Sequence, residues 1–379
     1  MNTKNPKIEF WIDRPIDSQI VQNLHRLSRA PGVAHIAVMP DIHLSKKLCN
    51  GIAVATEGTI FPEAVGGDIG CGYLMANVQG AARSLMNKRN GEKLLGLLDR
   101  VVPIIRHSSG SMADQLPDAL QQAALSFPGL EKLKSRDARV QLGTLGRGNH
   151  FVEFQSSANG GLHVLIHSGS RAVGPDVLAH HLRTAQYDDD SKLLFLDAAS
   201  SQGAAYLQDM QWAREYAAAN RRRMLQSIAE VVGKLGLSVD FESIIDRDHN
   251  HVQIESHGSG TFWVHRKGTQ RLLPDDVGIV PGSMGTSSFV VTGRQSQGAL
   301  QSCSHGAGRR MSRTQAANRI SARDLKKQMQ GVCYDNRKTH RLCDEAPKAY
   351  KDIRKVMRAQ KDLTRIEAER TPIVNFKAG

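Results

Sequence analysis

Ala64-Val65-Gly66-Gly67-Asp68-Ile69-Gly70-Cys71-Gly72-Tyr73 crowds four glycines around a carboxylate and a thiol set three residues apart. Glycine reaches backbone conformations closed to other residues and lets segments approach closely, so the run reads as a tight loop. A carboxylate and a thiolate held in such a loop form half of a site for a borderline divalent metal. Taken alone, a D-x-x-C is more often a turn with an inert buried cysteine. The rest of the chain decides between the two.

Outward from this loop, Ile52–Ala55, Thr59–Phe61 and Leu74–Val78 read as strands. Upstream, Ile8–Ile12 is a short strand, a helix starts near Asp17 with Ile20, Val21, Leu24 and Leu27 at helical spacing, and His35–Met39 is a strand running into Pro40-Asp41-Ile42-His43. Asp41 and His43 then sit where a strand gives way to a loop. Downstream, residues 84–135 read as mainly helical, with Ser108–Ser111 as the loosest point. Leu142–Phe154 is a second glycine-rich loop that ends in Asn149-His150 and feeds a strand. Leu162–Ile166 is a strand that delivers His167-Ser168-Gly169-Ser170-Arg171. A helix spans roughly 203–235, with Arg221-Arg222-Arg223 read as a solvated face. Asp246–Val252 is a further polar loop, followed by strands Phe262–Val264 and Phe289–Thr292. A helix is expected from the Ser302–Arg313 stretch through about Gln330, and another from Tyr350 to about Arg370.

His150, His167 and His249 each stand at a strand–loop junction beside Gly, Ser or Asn, as Asp68 and Cys71 do. Each alone is a commonplace polar residue. Together, one carboxylate, one thiolate and three imidazoles make an inner shell for two borderline metals, with the thiolate between the cations. Pro281-Gly282-Ser283-Met284-Gly285 and His305-Gly306-Ala307-Gly308-Arg309 are short segments able to offer backbone N–H groups to phosphate oxygens, and an imidazole such as His305 is a competent nucleophile toward phosphorus. Arg171, Arg266, Lys267, Arg309 and Arg313 add fixed positive charge.

The chain has 379 residues and a net charge of +13, which favours a polyanionic partner, nucleic acid before membrane. Its 5 cysteines form no C-x-x-C pair, so neither a disulfide framework nor a zinc ribbon is implied. No apolar run approaches the ~18 residues that span a bilayer. A cytoplasmic protein that meets no membrane is expected. The segments interleave too closely for separate domains, and one α+β domain over 1–379 is expected, its strand-end loops forming the site and its helices packed outside.

With these segments in view, the chain closely resembles the RtcB family of RNA-splicing ligases. The matching blocks are Pro40–His43, Asp68–Gly72, Gly148–Phe151, His167–Arg171, His249-Asn250, His265–Gly268, Pro281–Gly285, His305–Arg309, Glu345–Lys351 and the terminal Lys377, in family order. The resemblance implies a GTP- and Mn²⁺-dependent ligase that joins RNA 3′-phosphate or 2′,3′-cyclic phosphate ends to 5′-hydroxyl ends. It implies two Mn²⁺ ions on Asp68, Cys71, His150, His167 and His249, with Cys71 bridging, and His305 as the residue that takes GMP. For the guanylate pocket it implies Asn149, His150, Phe151, Val152, Glu153, His249, Asn250, Pro281, Gly282, Ser283, Met284, Ser288, His305, Gly306, Ala307, Gly308, Tyr350 and Lys377. Arg171 aligns with an RNA-phosphate contact, and Arg266, Lys267 and Arg309 are expected to bind RNA beside it. An activating protein such as archease is a family partner. Gly67, Arg147, Ala172 and Thr269 depart from the family pattern, as a divergent RNA-repair branch would. The residues themselves also admit a metal-dependent phosphodiesterase that acts on RNA ends without ligation, needing the metal cluster but neither His305 nor a guanine pocket. A basic RNA-binding factor with a purely structural metal site is the third reading.

Overall fold

Two sheets carry the architecture, and from the larger to the smaller the chain passes through a single residue, His249. The computed structural model describes residues 6–12, 15–107, 115–258 and 260–378. The smaller sheet has the strand order Lys7–Phe10, Val33–His43, Asn50–Thr56, Gly260–Lys267 and Asn250–His257, antiparallel except for its first pair. The larger runs Ser238–Asp248, Gly72–Ala81, Gly161–Ser168, Phe151–Ser157, Thr364–Lys377, Ser288–Gly293 and Val277–Val280, antiparallel throughout, with Cys333–Tyr334 added in parallel to Thr364–Lys377. Its edges curl toward each other, for Arg247 Nε donates to the Val277 carbonyl at 2.7 Å. The fold class is α+β, as the sequence predicts.

Alternation explains why the large sheet forms. On one face Leu74, Ala76, Val78, Val152, Phe154, Leu162, Val164 and Ile166 belong to a buried cluster with Met224, Leu225, Ile228, Val231 and Val232 of the helix Ser201–Gly233. Period-2 residues thus meet a 3.6-period stripe. Tyr73, Met75 and Leu165 point the other way and pack with Ile279 and Val290 across the curl. The long helix starts at Ser200, whose hydroxyl accepts from Gly203 N–H at 3.0 Å.

Several expectations need correction. Asp246–Val252 is no free loop: Ser238–Asp248 and Asn250–His257 are strands of different sheets, leaving only His249 between them. Asp41 and His43 lie inside the strand Val33–His43. The helix expected up to Gln330 is instead a short strand, Ser302–Ser304, then helices Arg313–Arg319 and Ala322–Gln328. Gly308, at φ +69°, interrupts the first stretch, and capping boxes at Ser312 and Ser321 start each helix afresh. The helix expected over 350–370 is only Ile353–Ala359, and Thr364–Lys377 is a strand held by pairing to both Ser288–Gly293 and Phe151–Ser157. Sheet partners override the local charged pattern there. The loose stretch Ser108–Ser111 lies outside the described residues.

Candidate metal and nucleotide site

Four adjacent strands of the large sheet bring their ends to one rim. Register pairs Gly72 with both Ser168 and Asp248, and His167 with both Tyr73 and Phe151. Cys71 just precedes the first of these strands and His249 just follows another. His167 ends a third and His150 precedes the fourth. Sheet pairing, not sequence proximity, therefore gathers the four.

Cys71 Sγ lies 3.2 Å from His167 Nε2 and 3.4 Å from His150 Nε2, and His150 Nε2 lies 2.9 Å from Asp68 Oδ2. Potential ligand atoms of Cys71, His167 and His249 lie within 4.8 Å of one another, and so do those of Asp68, Cys71 and His150. Two triads thus share one thiol. The Nδ1 atoms of His150 and His167 face the Leu145 and Asn149 carbonyls, at 3.0 and 3.2 Å, so each donates there and keeps Nε2 for the cluster. His249 Nδ1 is buried without a hydrogen-bond partner. Burial, then the neighbouring imidazoles, holds His167 and His249 well below the usual histidine range, so both are neutral donors. Burial, then Asp68, pushes the Cys71 thiol well up. Burial would raise Asp68, but His150 and its hydrogen bond prevail and bring it to about 2. A buried orphan imidazole nitrogen and a mixed N, S and O donor set suit borderline divalent cations, so the residues fit a metal pair.

The shape of this cluster depends on close backbone approach. A Cβ on Gly169 would overlap the Asp68 carboxylate. Asn250 staples the Asp68 loop, donating from Nδ2 to the Asp68 carbonyl at 2.9 Å and accepting from Gly268 N–H at 2.8 Å. Arg221, expected on a solvated face, is buried beneath the loop: it pairs with Asp246 and donates to the Gly70 and Ser168 carbonyls at 2.8 and 3.1 Å. Its neighbour Asn220 accepts from the N–H groups of Gly143 and Thr144 and donates to Thr144 O and Ser168 Oγ.

His305 enters from the other side. Its ring centre is 4.8 Å from that of His249. Its Nδ1 is 2.6 Å from Asp41 Oδ2, which also accepts from the backbone N–H groups of His305 and Gly306. Burial would raise Asp41, but His305 outweighs it and the carboxyl stays below its usual range. An ionised Asp41 accepts a hydrogen bond from Nδ1–H and leaves Nε2 as the free ring nitrogen.

A cavity of about 1090 Å³ opens beside this imidazole. Of the residues expected around a guanylate, Asn149, Phe151, Pro281–Met284, Gly306–Gly308, Tyr350 and Lys377 line it. Others lie behind its wall. Val152 belongs to the core, Asn250 and His249 to the metal cluster, and Ser288 accepts from Gln155 at 2.9 Å. Glu153 is buried, its oxygens accepting from Gln155 and Asn375 at 2.7 and 2.6 Å, and burial raises it to about 7. Lys377 pairs with Glu345 at 2.7 Å.

The cations divide. Arg171 is half-buried near Asp68, while Arg309 lines the large cavity, pairs with Glu345 at 3.2 Å and lies 5.0 Å from the Tyr350 ring centre. Two expected RNA contacts are corrected by their burial. Arg266 is fully enclosed, forked onto Glu255 and donating to Ser302 Oγ and the Leu300 carbonyl. Lys267 is buried with its ammonium on the Glu63 carbonyl at 3.1 Å, and desolvation lowers it to about 8. Both brace the framework.

A family model described as tRNA-splicing ligase RtcB matches residues 23–127 and 118–378. The chain belongs to the RtcB family. It is 32% identical over 400 residues to RNA-splicing ligase RtcB of Escherichia coli (strain K12), covering 97% of this chain and 96% of that protein. It is 29% identical over 422 residues to RNA-splicing ligase RtcB of Mycobacterium bovis, covering 90% and 97%, and 27% identical over 431 residues to tRNA-splicing ligase RtcB of Thermococcus kodakarensis, covering 91% and 88%. No helix among the described residues is long and apolar enough to cross a membrane. The RtcB blocks in the sequence left two carboxylates without a role: Asp41 on the His305 imidazole, and Glu345, which gathers Lys377, Arg309, Arg313 and the Tyr350 hydroxyl. His305 and the basic partners of Glu345 lie far away along the chain, and only Tyr350 is near, so no local signal marks these roles.

Proposed function

We propose that this chain is a GTP- and Mn²⁺-dependent RNA ligase that joins a 3′-phosphate or 2′,3′-cyclic phosphate end to a 5′-hydroxyl end through a guanylate carried on His305. One observation carries this reading beyond family membership: a histidine tautomer fixed by a buried carboxylate at 2.6 Å, beside a five-donor cluster and at the wall of a nucleotide-sized cavity. A metal-dependent phosphodiesterase needs the metal cluster but requires no guanylate-bearing histidine and no nucleotide cavity. Asp68, Cys71, His150, His167 and His249 would hold the metal pair, which when bound supplies Lewis acidity and charge neutralisation at phosphate oxygens.

The protein's own groups then act in order. Gly282, Met284 and Gly308 offer backbone N–H groups to the triphosphate, those of Ser283, Gly306 and Ala307 being taken by Thr286, Asp41 and the Pro281 carbonyl. His305 Nε2 attacks the α-phosphorus, the P–N bond forms and pyrophosphate leaves, while Asp41 stabilises the cationic imidazole. An oxygen of the RNA 3′-phosphate takes the guanylyl group and the P–N bond breaks. The 5′-hydroxyl attacks the activated phosphorus, loses its proton and expels GMP. A cyclic phosphate is first opened by water. Lys377, which lines the cavity, offers a donor to the guanine O6, whereas the Glu153 carboxyl expected to meet the base's N–H groups stands behind the wall with Gln155 and Asn375 on its oxygens. RNA is the polyanion that the charge of +13 suits.

The test is incubation with α-labelled GTP and Mn²⁺. The ligase reading expects acid-labile label on the wild type and none on His305→Ala at unchanged metal content. A wild type that binds metal and opens cyclic phosphate but never takes label would establish the hydrolase instead.

A further inference from the structure

On the wall of the large cavity, Tyr350 and Lys377 already have partners. The Tyr350 hydroxyl donates to Glu345 Oε2 at 2.8 Å, and Lys377 pairs with the same carboxylate at 2.7 Å. Tyr73 differs. It lines the same cavity and is only 3% exposed, yet its hydroxyl has no hydrogen-bond partner among the described residues. A buried phenol normally finds one. We infer that the Tyr73 hydroxyl donates to an oxygen of the nucleotide's α-phosphate and holds that group in line for attack by His305. The inference rests on the RNA-ligase reading and adds a catalytic residue to it.

The register that gathers the metal cluster also places this ring. Tyr73 pairs with His167 on one side and Arg247 on the other. Its ring centre lies 4.4 Å from that of His167 and 5.1 Å from that of His249, and it packs with Met75, Leu165, Ile279 and Val290. That packing explains the ring but not the hydroxyl, because a phenylalanine would fill the same place. The free end reaches the turn that carries the nucleophile. A Cβ on Gly306 would lie 3.6 Å from the Tyr73 hydroxyl and 3.1 Å from the Pro281 carbonyl oxygen. The phenol oxygen therefore stands where the two glycine-rich loops meet, beside the residue that follows His305. His249 is a neighbour common to both rings, its centre 4.8 Å from that of His305. The reaction has a use for a neutral donor at this point. As His305 Nε2 forms the P–N bond, the bond from the α-phosphorus to the bridging oxygen breaks and its electron pair leaves with pyrophosphate. The phenol keeps its proton and shares it with a non-bridging α-oxygen. The N–H groups of Gly282, Met284 and Gly308 come from the loops, whereas Tyr73 comes from the side of the metal ligands. A donor from that second direction fixes rotation of the phosphate, and so which oxygen stands opposite Nε2.

Tyr73→Phe removes the oxygen and keeps the ring. Because the hydroxyl holds nothing in the protein, melting temperature and bound Mn²⁺ should match those of the wild type. The rate of labelling by α-labelled GTP at saturating nucleotide is expected to fall about tenfold or more. Calorimetry on the Mn²⁺-loaded protein adds a readout that needs no turnover. GMP should bind Tyr73→Phe about fivefold more weakly, and guanosine, which lacks the phosphate, should bind both proteins alike. Tyr73→Met, which keeps an apolar side chain, should repeat both losses. A wild-type labelling rate and GMP affinity in Tyr73→Phe overturn the inference and leave the ligase reading intact. An equal loss of GMP and guanosine, or a loss of bound Mn²⁺, also overturns it, since Tyr73 would then only pack the site. A wild type that takes no label ends the ligase reading itself, and the inference with it.

Discussion

Only one nitrogen of the His305 ring is free, because the other is held by Asp41. The carboxylate is buried and accepts from the ring and from two backbone N–H groups, so it fixes rotamer, tautomer and main chain together. Asp41→Asn keeps the size but can offer its amide N–H to the ring and stabilise the wrong tautomer. GMP labelling is expected to slow by on the order of a hundredfold or more. Bound metal, measured by elemental analysis, should be unchanged. Glu153 supplies a second prediction at this scale. Burial sets its folded pKa at about 7, above the ordinary 4.5. The folded state thus holds a proton that the unfolded state has released, and the contribution to stability is full below about 4.5 and declines as pH rises to 7. The melting temperature of Glu153→Gln minus that of the wild type should therefore grow between pH 5.5 and 7.5. A constant difference would mean that the carboxyl ionises normally.

Helix Ser201–Gly233 is more than a cover for the sheet. Asn220 and Arg221, on consecutive positions of its buried face, tie the carbonyls and N–H groups of the loops that carry Cys71, His150 and His167. Asn220→Ala would leave the Gly143 and Thr144 N–H groups without that acceptor, at a cost of about 3 kcal/mol. Thermal unfolding should shift down accordingly, and Mn²⁺ affinity by calorimetry should fall with it, because the helix positions the ligand loops. A destabilised variant with wild-type metal affinity would confine Asn220 to packing. The run Arg221-Arg222-Arg223 looks uniformly polar in sequence, yet its first member is buried. A charged residue reads as solvated until the carbonyls and the Asp246 carboxylate that satisfy it are folded around it.

Across the molecule, the candidate metal site is the joint between two sheets. His249 belongs to neither strand it separates, and the Asp68 loop closes on Asn250. A bound metal pair would therefore clamp the sheets, and its removal should lower stability by RT ln(1 + [L]/Kd), about 4 kcal/mol at a thousandfold excess over Kd. Chelation is expected to depress the melting temperature, and Mn²⁺ to restore it. Cys71→Ala should lose most of this response, since the thiol is common to both triads.

The glycine-rich loops, the alternating strands and the residue types of the candidate metal site are legible in the sequence, because they rest on local physics: allowed φ, side-chain period and donor chemistry. The ordered blocks also announced the family. Tertiary structure alone decided that Thr364–Lys377 is a strand, that Arg266 and Lys267 are braces, and that Asp41 addresses His305 across 264 positions. The reason is the same in each case. Burial and partners set what a charged or ambiguous residue does, and those partners arrive only when strands distant in sequence come into register.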